Sequence, residues 1–253
     1  MLRVLFIIQC TGLALLLTVP DVFAQDKLEP VRGLVRAVDE ALISTELSAR
    51  ILEIAHREGE AFSKGDLLVR FDCAKYQSEL DAARAEEEFN NIALKNSIEL
   101  DKRKAVGRFD VAQNRARYNK AVAQAKTLAA QVAECVVSAP FGGRIAEMRA
   151  KAYEMSRPGE PLMKIVNTDL LEIELIVPSV WLRWIRSGQK FQVTVDETAA
   201  VYDAMVQRIA PSVDSISQTV KIMAVFTEPA ADILPGMSLN AQIMEQKAGE
   251  ELP

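Results

Sequence analysis

Histidine is nearly absent from this chain: one, His56, among 253 residues. With a single imidazole and no Cys or His neighbour at ligand spacing, no metal site is read. A Ser/His/Asp or Cys/His catalytic set cannot be assembled around it either. No Gly-rich phosphate loop appears, so no cofactor-binding residue is assigned and the chain reads as non-enzymatic. Clusters of basic residues interleaved with aromatics are missing. With a net charge of −5 and a pI near 5.2, this argues against a nucleic-acid partner. The longest apolar run near the N-terminus, Val4 to Leu17, is interrupted by Gln9 and Thr11. It falls short of the roughly twenty residues a spanning helix needs. Glycine and proline, finally, are almost absent from one long stretch, Lys75 to Glu134, which holds only Gly107.

That stretch is filled with Ala, Glu, Lys, Gln, Arg and Leu, which lose little rotamer freedom in a helix. In its second half Tyr118, Val122, Ala125, Ala129 and Val132 step by four and three, a heptad seam. In its first half Tyr76, Leu80 and Ala83 open one stripe, and Ala85, Phe89 and Ile92 continue on a shifted one. Two helices joined near Gly107 form an antiparallel hairpin about 40 Å long. Runs such as Glu86-Glu87-Glu88 read as a solvated helix face, not as acid–base machinery.

The flanks have another grammar. Residues 1–24 read as an export signal: Arg3, the apolar run, Pro20, then Val22 and Ala24 before Gln25. The pattern fits cleavage before Gln25, the reading the short, interrupted apolar run favours; retention as an N-terminal anchor is the alternative. From Leu34 the chain breaks into short apolar pieces separated by Glu58-Gly59-Glu60 and Lys64-Gly65-Asp66, which read as strands and turns. After the helical stretch the same pieces return. Setting Arg144 on Arg50, an offset of 94, also aligns Ile145 with Ile51, Glu147 with Glu53, Gly159 with Gly65 and Leu162 with Leu68. Such a repeat marks two equivalent halves, each too small to stand alone, folding together into one β-sandwich. From Asp169 a third region alternates again, with turns at Val177-Pro178, Ser187-Gly188-Gln189 and Pro235-Gly236-Met237, and reads as a small barrel.

The two half-motifs, ARILEIAHREGEAFSKGDLLVRFD and APFGGRIAEMRAKAYEMSRPGEPLMKI, split by a helical hairpin, resemble the periplasmic adaptor (membrane fusion protein, HlyD-like) family. The barrel motifs, including Arg208-Ile209-Ala210-Pro211, match that family in the same order. The resemblance covers about residues 34–244. It implies an α+β, mainly β fold. Residues 34–72 and 136–167 would form a biotinyl/lipoyl-like sandwich and 73–135 the hairpin. Residues 168–245 would form the barrel and 246–253 a tail. A lipoyl-carrier role is not expected, because the hairpin replaces the turn that would carry the lysine and leaves Lys75 at a helix start. Departures are Ala49 and Ala204 where the family favours Gly, and a tip sequence RKAVGRFDVAQ lacking the Arg-Leu-Ser pattern of channel-docking adaptors. The sequence stops within about ten residues of Ile243, which leaves no room for the membrane-proximal β-domain of many adaptors.

The implied role is a periplasmic adaptor for an inner-membrane transporter of RND or ABC type, with an outer-membrane channel as a further candidate partner. The protein would be a homo-oligomer. A soluble periplasmic binding or regulatory module is the alternative. The candidate docking surface is the hairpin tip, Val106, Gly107, Arg108, Phe109 and Asp110, with Gly107 allowing the reversal and Phe109 either exposed or folded back. Trp181 and Trp184 are expected to pack beneath the barrel or to touch a partner. Cys73 and Cys135 flank the inserted hairpin, so both fall at its base, on opposite legs. Facing positions there can meet disulfide geometry in an oxidising compartment. The other reading is two small buried hydrophobes.

Overall fold

The computed structural model describes residues 30–230 and 232–243. The expected export signal and the tail 246–253 lie outside them. The chain begins with β1 (Val31–Ala37) and passes into the first half-repeat, β2 (Glu40–Ser44), β3 (Ile51–Ile54), β4 (Ala61–Phe62) and β5 (Leu67–Phe71). Two helices follow, α1 (Ala74–Lys102) and α2 (Arg108–Ala133). The second half-repeat is β6 (Val136–Ser138), β7 (Gly143–Met148) and β8 (Pro161–Val166). The last strands are β9 (Leu171–Pro178), β10 (Lys190–Val195), β11 (Val201–Asp214), β12 (Thr219–Phe226) and β13 (Ser238–Gln242).

The two halves do not form separate sheets. One sheet runs β2-β8-β7-β4 and the other β3-β5-β6, so each takes strands from both halves. Their pairing repeats at the offset of 94 that aligns the sequence. Ile51 pairs with Phe71 as Ile145 pairs with Ile165, and Leu67 with Ser138 as Pro161 with Ser44. The Ala61–Arg144 pair has its mate in the isolated bridge between Met155 and Arg50. Backbone bonds follow the same rule. The Ile51 N–H donates to the Glu154 carbonyl at 2.9 Å and the Ile145 N–H to the Glu60 carbonyl at 3.1 Å. The sandwich core is built from equivalent pairs, Ile51 with Ile145, Leu68 with Leu162 and Phe71 with Ile165, all buried. Burying each such side chain contributes roughly 1.5–3 kcal/mol. Gly59 and Tyr153 occupy equivalent turns, and both take a left-handed backbone, φ 84 and 72. A tyrosine rarely adopts that conformation; here its side chain is 78% exposed.

The barrel closes in the order β1-β13-β10-β11-β12-β9. This corrects the expected boundary at residue 34. The LVRAV piece belongs to the barrel, where Val35 lies opposite Ile173 and is fully buried. Alternation alone shows that a strand has one buried face, not which core it faces. Without β1 the edges of β9 and β13 would stay open; with it every edge is paired. Gly33 allows this close approach, since a Cβ there would lie 2.5 Å from Leu175 Cδ2 and 2.8 Å from Leu239 Cδ1. β11 is longer than its sequence piece, and its register slips between Ile209 and Val213. Pro211, which has no N–H to donate, sits within that slip. A short 3-10 turn, Ser179–Arg183, closes one end of the barrel with Trp181 buried. The Trp181 and Trp184 rings lie 4.9 Å apart, and Trp184 packs against the barrel core.

At Gly143 a Cβ would meet the Val166 carbonyl oxygen at 2.1 Å, backbone that cannot swing aside. Gly143→Ala is expected to destabilise the sandwich by roughly 2–3 kcal/mol. Gly142→Ala, whose Cβ would find nothing nearer than 3.7 Å, should stay within about 0.5 kcal/mol. Urea unfolding of the two variants side by side checks both values.

Candidate functional site

With 29 and 26 residues, α1 and α2 reach about 40 Å at 1.5 Å per residue. Their contact is a continuous heptad on both helices. On α1 the inward set is Tyr76, Leu80, Ala83, Glu87, Asn90, Leu94 and Ser97, stepping by four and three. The expected shift to Ala85, Phe89 and Ile92 does not occur: the inward stripe runs on through polar residues. Phe89 is left 67% exposed, and Ile92 is also exposed. On α2 the buried positions are Ala121 and Ala125, with Tyr118, Leu128 and Val132 half-buried beside them. Val122 and Ala129 flank this seam. Small side chains at Ala83, Ala121 and Ala125 let the two backbones approach closely. The two buried polar groups of the seam are satisfied locally. Asn90 Nδ2 donates to the Glu86 carbonyl and carboxylate, each at 2.8 Å, and Ser97 Oγ to the Leu94 carbonyl at 2.8 Å.

The reversal at the tip differs from its sequence reading. Lys104, not Gly107, takes the left-handed conformation, with φ 58. The Ala105 N–H donates to the Leu100 carbonyl at 2.9 Å and the Lys104 N–H to the Asp101 carbonyl at 2.8 Å. This is the paired pattern of a Schellman helix end, where glycine is usual. Gly107 is extended and begins α2. Its N–H donates to Asp110 Oδ2 at 3.1 Å, so Asp110 serves as half of a capping box. Val106 is half-buried, while Gly107 to Asp110 are exposed, Phe109 at 77%. The outward groups of the tip are therefore Arg108 and Phe109; the Asp110 carboxylate is engaged in the cap.

At the base Cys73 and Cys135 are joined by a disulfide, with Cα atoms 6.0 Å apart. The Phe71 N–H donates to the Cys135 carbonyl at 2.9 Å, continuing the β5–β6 pairing up to the bond. Sequence reasoning missed a second tie. The Tyr76 hydroxyl lies 3.4 Å from the Ser48 carbonyl and 3.3 Å from its N, fastening the first turn of α1 to the loop before β3. Among the described residues no group of three or more His, Cys, Asp or Glu could hold a metal ion. No described helix is long and apolar enough to cross a membrane.

Set beside known proteins, residues 173–247 match the CusB-like β-barrel domain. The chain is 27% identical over 215 residues to nodulation protein NolF of Rhizobium meliloti, covering 78% of this chain and 59% of that protein. It spans 56–61% of the length of the curated relatives it matches. Among solved structures it is similar to a MacA–MexA chimera carrying the Pseudomonas aeruginosa MexA α-hairpin. The TM-score is 0.74 at 17% identity, over 85% of this chain and 78% of that one. It is also similar to the membrane fusion protein Spr0693 from Streptococcus pneumoniae, with a TM-score of 0.68 at 17% identity, over 86% and 99% of the two chains. The architecture shared with these structures is a paired-half sandwich split by a hairpin, with a barrel beside it. This chain has the fold of the membrane fusion proteins, and its barrel is of the CusB-like kind.

Two outcomes test the hairpin's construction. Lys104→Gly removes a left-handed side chain from the reversal and should stabilise the protein by about 1 kcal/mol, read as a raised Tm. Mass spectrometry of the non-reduced, exported protein should return a linked Cys73–Cys135 peptide pair. Closing that loop contributes something like 4 kcal/mol in the chain-entropy model. Two thiols that alkylate fully on unfolding would show the bond absent.

Proposed function

We propose that this chain is the periplasmic adaptor subunit of an efflux or secretion system. It links an inner-membrane transporter of RND or ABC type to an outer component. The observation that carries this reading is the combination of a CusB-like barrel with a split sandwich from which a 29- and 26-residue helix pair projects. The barrel is the transporter-side platform and the hairpin the reaching element. The working form is a ring or a set of dimers. Support for assembly comes from the hairpin itself, which keeps polar groups in its seam and leaves Phe89 and Ile92 outside it. A neighbouring copy would cover them. Docking falls to the tip, Val106–Asp110, with Arg108 and Phe109 as the contacting side chains. Whether that partner is an outer-membrane channel is part of the proposal, since the tip lacks the Arg-Leu-Ser pattern.

Crosslinking intact cells and purifying this chain from membranes should recover a polytopic inner-membrane transporter. Recovery of the chain alone, monomeric at high concentration, would count against the reading. Arg108→Ala combined with Phe109→Ala should leave the Tm within about 1 °C, as expected for exposed positions. The same pair should reduce export of the system's cargo severalfold. Unchanged export with intact protein would remove the tip from the docking surface.

A further inference from the structure

One end of the barrel has exposed apolar side chains that the adaptor reading does not use. β9 ends there at Pro178, opposite Thr219, and β1 starts there, with Val31 opposite Ala241. Both ends of the described chain, Pro30 and Ile243, therefore leave the barrel at this face. The strand ends that lead to the sandwich, Ala37 and Leu171, lie at the opposite one. The 3-10 turn that closes the face buries Trp181 and, just after it, Ile185. Val180, Leu182 and Arg183 are exposed instead, on the side away from the core.

Beside this turn the β11–β12 hairpin extends past the barrel wall as a finger, with Ile216 at its tip and 95% exposed. Val213, at the root of the finger, is exposed as well. The finger is a built turn. Asp214 Oδ1 accepts the Ile216 N–H at 3.0 Å, the Ser217 N–H at 2.9 Å and the Ser217 hydroxyl at 3.0 Å. The donors from Ser217 and then Ile216 hold the Asp214 carboxyl below the usual aspartate range. The Ser179 N–H donates to the Gln218 carbonyl at 2.8 Å and ties the finger to the closing turn. An isoleucine held almost wholly in water on an ordered turn gains nothing for folding.

We infer that this barrel end seats on a lipid surface, with Ile216 and Val180 entering the headgroup–acyl boundary and Arg183 facing anionic headgroups, while the Arg186 guanidinium is taken up by the Leu182, Ile185 and Arg183 carbonyls of the turn. Apolar side chains beside an arginine are the chemistry of an interfacial site. Among the described residues of the finger, the Asp214 carboxylate is engaged by its own turn. The sequence outside the described residues points the same way. The apolar run Val4–Leu17 is followed by only twelve residues before Pro30, where the chain enters the barrel at this face. Twelve residues span at most about 40 Å, so an N-terminal run held in a membrane keeps this end of the barrel close to it. The inference goes beyond the adaptor reading and stands or falls without it, because vesicles contain no transporter.

The chain carries its own probe: its two tryptophans, Trp181 and Trp184, both lie at this end. The exported protein is titrated with vesicles of phosphatidylethanolamine and phosphatidylglycerol whose acyl chains are brominated near the headgroup. Tryptophan quenching is the readout. Quenching is expected, weaker with phosphatidylcholine vesicles and weaker in high salt. Ile216→Asp should weaken partition about tenfold, and Arg183→Gln should weaken it for the anionic vesicles only. A retained N-terminal anchor would tether every variant alike, so the difference between variants decides. No quenching by either vesicle would overturn the inference. So would an Ile216→Asp protein that is quenched like the parent, or a loss on Ile216→Asp confined to co-purification with an inner-membrane protein.

Discussion

The structure depends on an exchange of backbone hydrogen bonds between two half-repeats that cannot fold alone. Each half offers strands whose partners lie in the other: β2 finds β8, β4 finds β7, and β5 finds β6. Turn bonds are exchanged too, with Gly59 donating to Ile145 and Tyr153 donating to Ile51 at 2.9 and 2.8 Å. A buried backbone donor left unpaired costs about 1–3 kcal/mol, so an isolated half would carry several such costs as well as an exposed apolar face. The pseudo-symmetry is therefore more than a trace of repetition. It is the condition under which about seventy residues of short strands bury one core.

From that constraint the position of the hairpin follows. β5 and β6 are neighbours in one sheet, paired through Arg70 and Val136, and the chain between them can be any length whose ends meet at that pairing. Loop closure grows only slowly with length, so a long insertion there adds little cost if it orders itself. The helices order themselves through their heptads, and the disulfide holds the two legs together at the root. The polar seam of the outer half is then tolerable, because Asn90 and Ser97 bond within their own helix and demand nothing of the opposite one.

The repeat, the insertion and the third, barrel-like region were legible because each rests on a pattern with a definite period or offset. The offset of 94 carries over to the hydrogen bonds without a gap, and even reaches positions with no residue identity, such as Thr45 and Ala139. Those two accept from Gly159 and Gly65, each at 2.8 Å. What was not legible has physical causes. Hydrophobicity places Phe89 and Ile92 on the inward stripe of α1, whereas geometry puts Glu87 and Asn90 there. Reading the periodicity of Tyr76, Leu80 and Ala83 onward regardless of polarity would have found it. Gly107 is the only glycine of the helical stretch, yet the reversal is carried by Lys104, whose left-handed backbone leaves no mark in composition. The barrel's first strand lies far from the other five in sequence, and a lone alternating piece does not say which of two cores it faces. The tie from Tyr76 to Ser48 had no signal at all, since it joins residues 28 apart through one hydroxyl.

The same offset separates the two junctions of the sandwich in kind. Cys73 has Asn167 as its equivalent, so the residue that binds the hairpin root covalently corresponds to one at the barrel root that only hydrogen-bonds. Asn167 is buried; its amide N–H donates to the Asp39 carbonyl at 2.9 Å, and its side-chain oxygen accepts from Asp169 and Leu170 at 3.0 and 3.3 Å. A further bond joins the two strands as they cross to the barrel, from the Val38 N–H to the Leu170 carbonyl at 2.9 Å. Each of these is worth about 1 kcal/mol net, whereas parting the legs of the hairpin at its root requires breaking a covalent bond. A sandwich assembled from two like halves thus holds its two junctions by different chemistry: the legs of the hairpin by a covalent bond, the crossing to the barrel by hydrogen bonds alone.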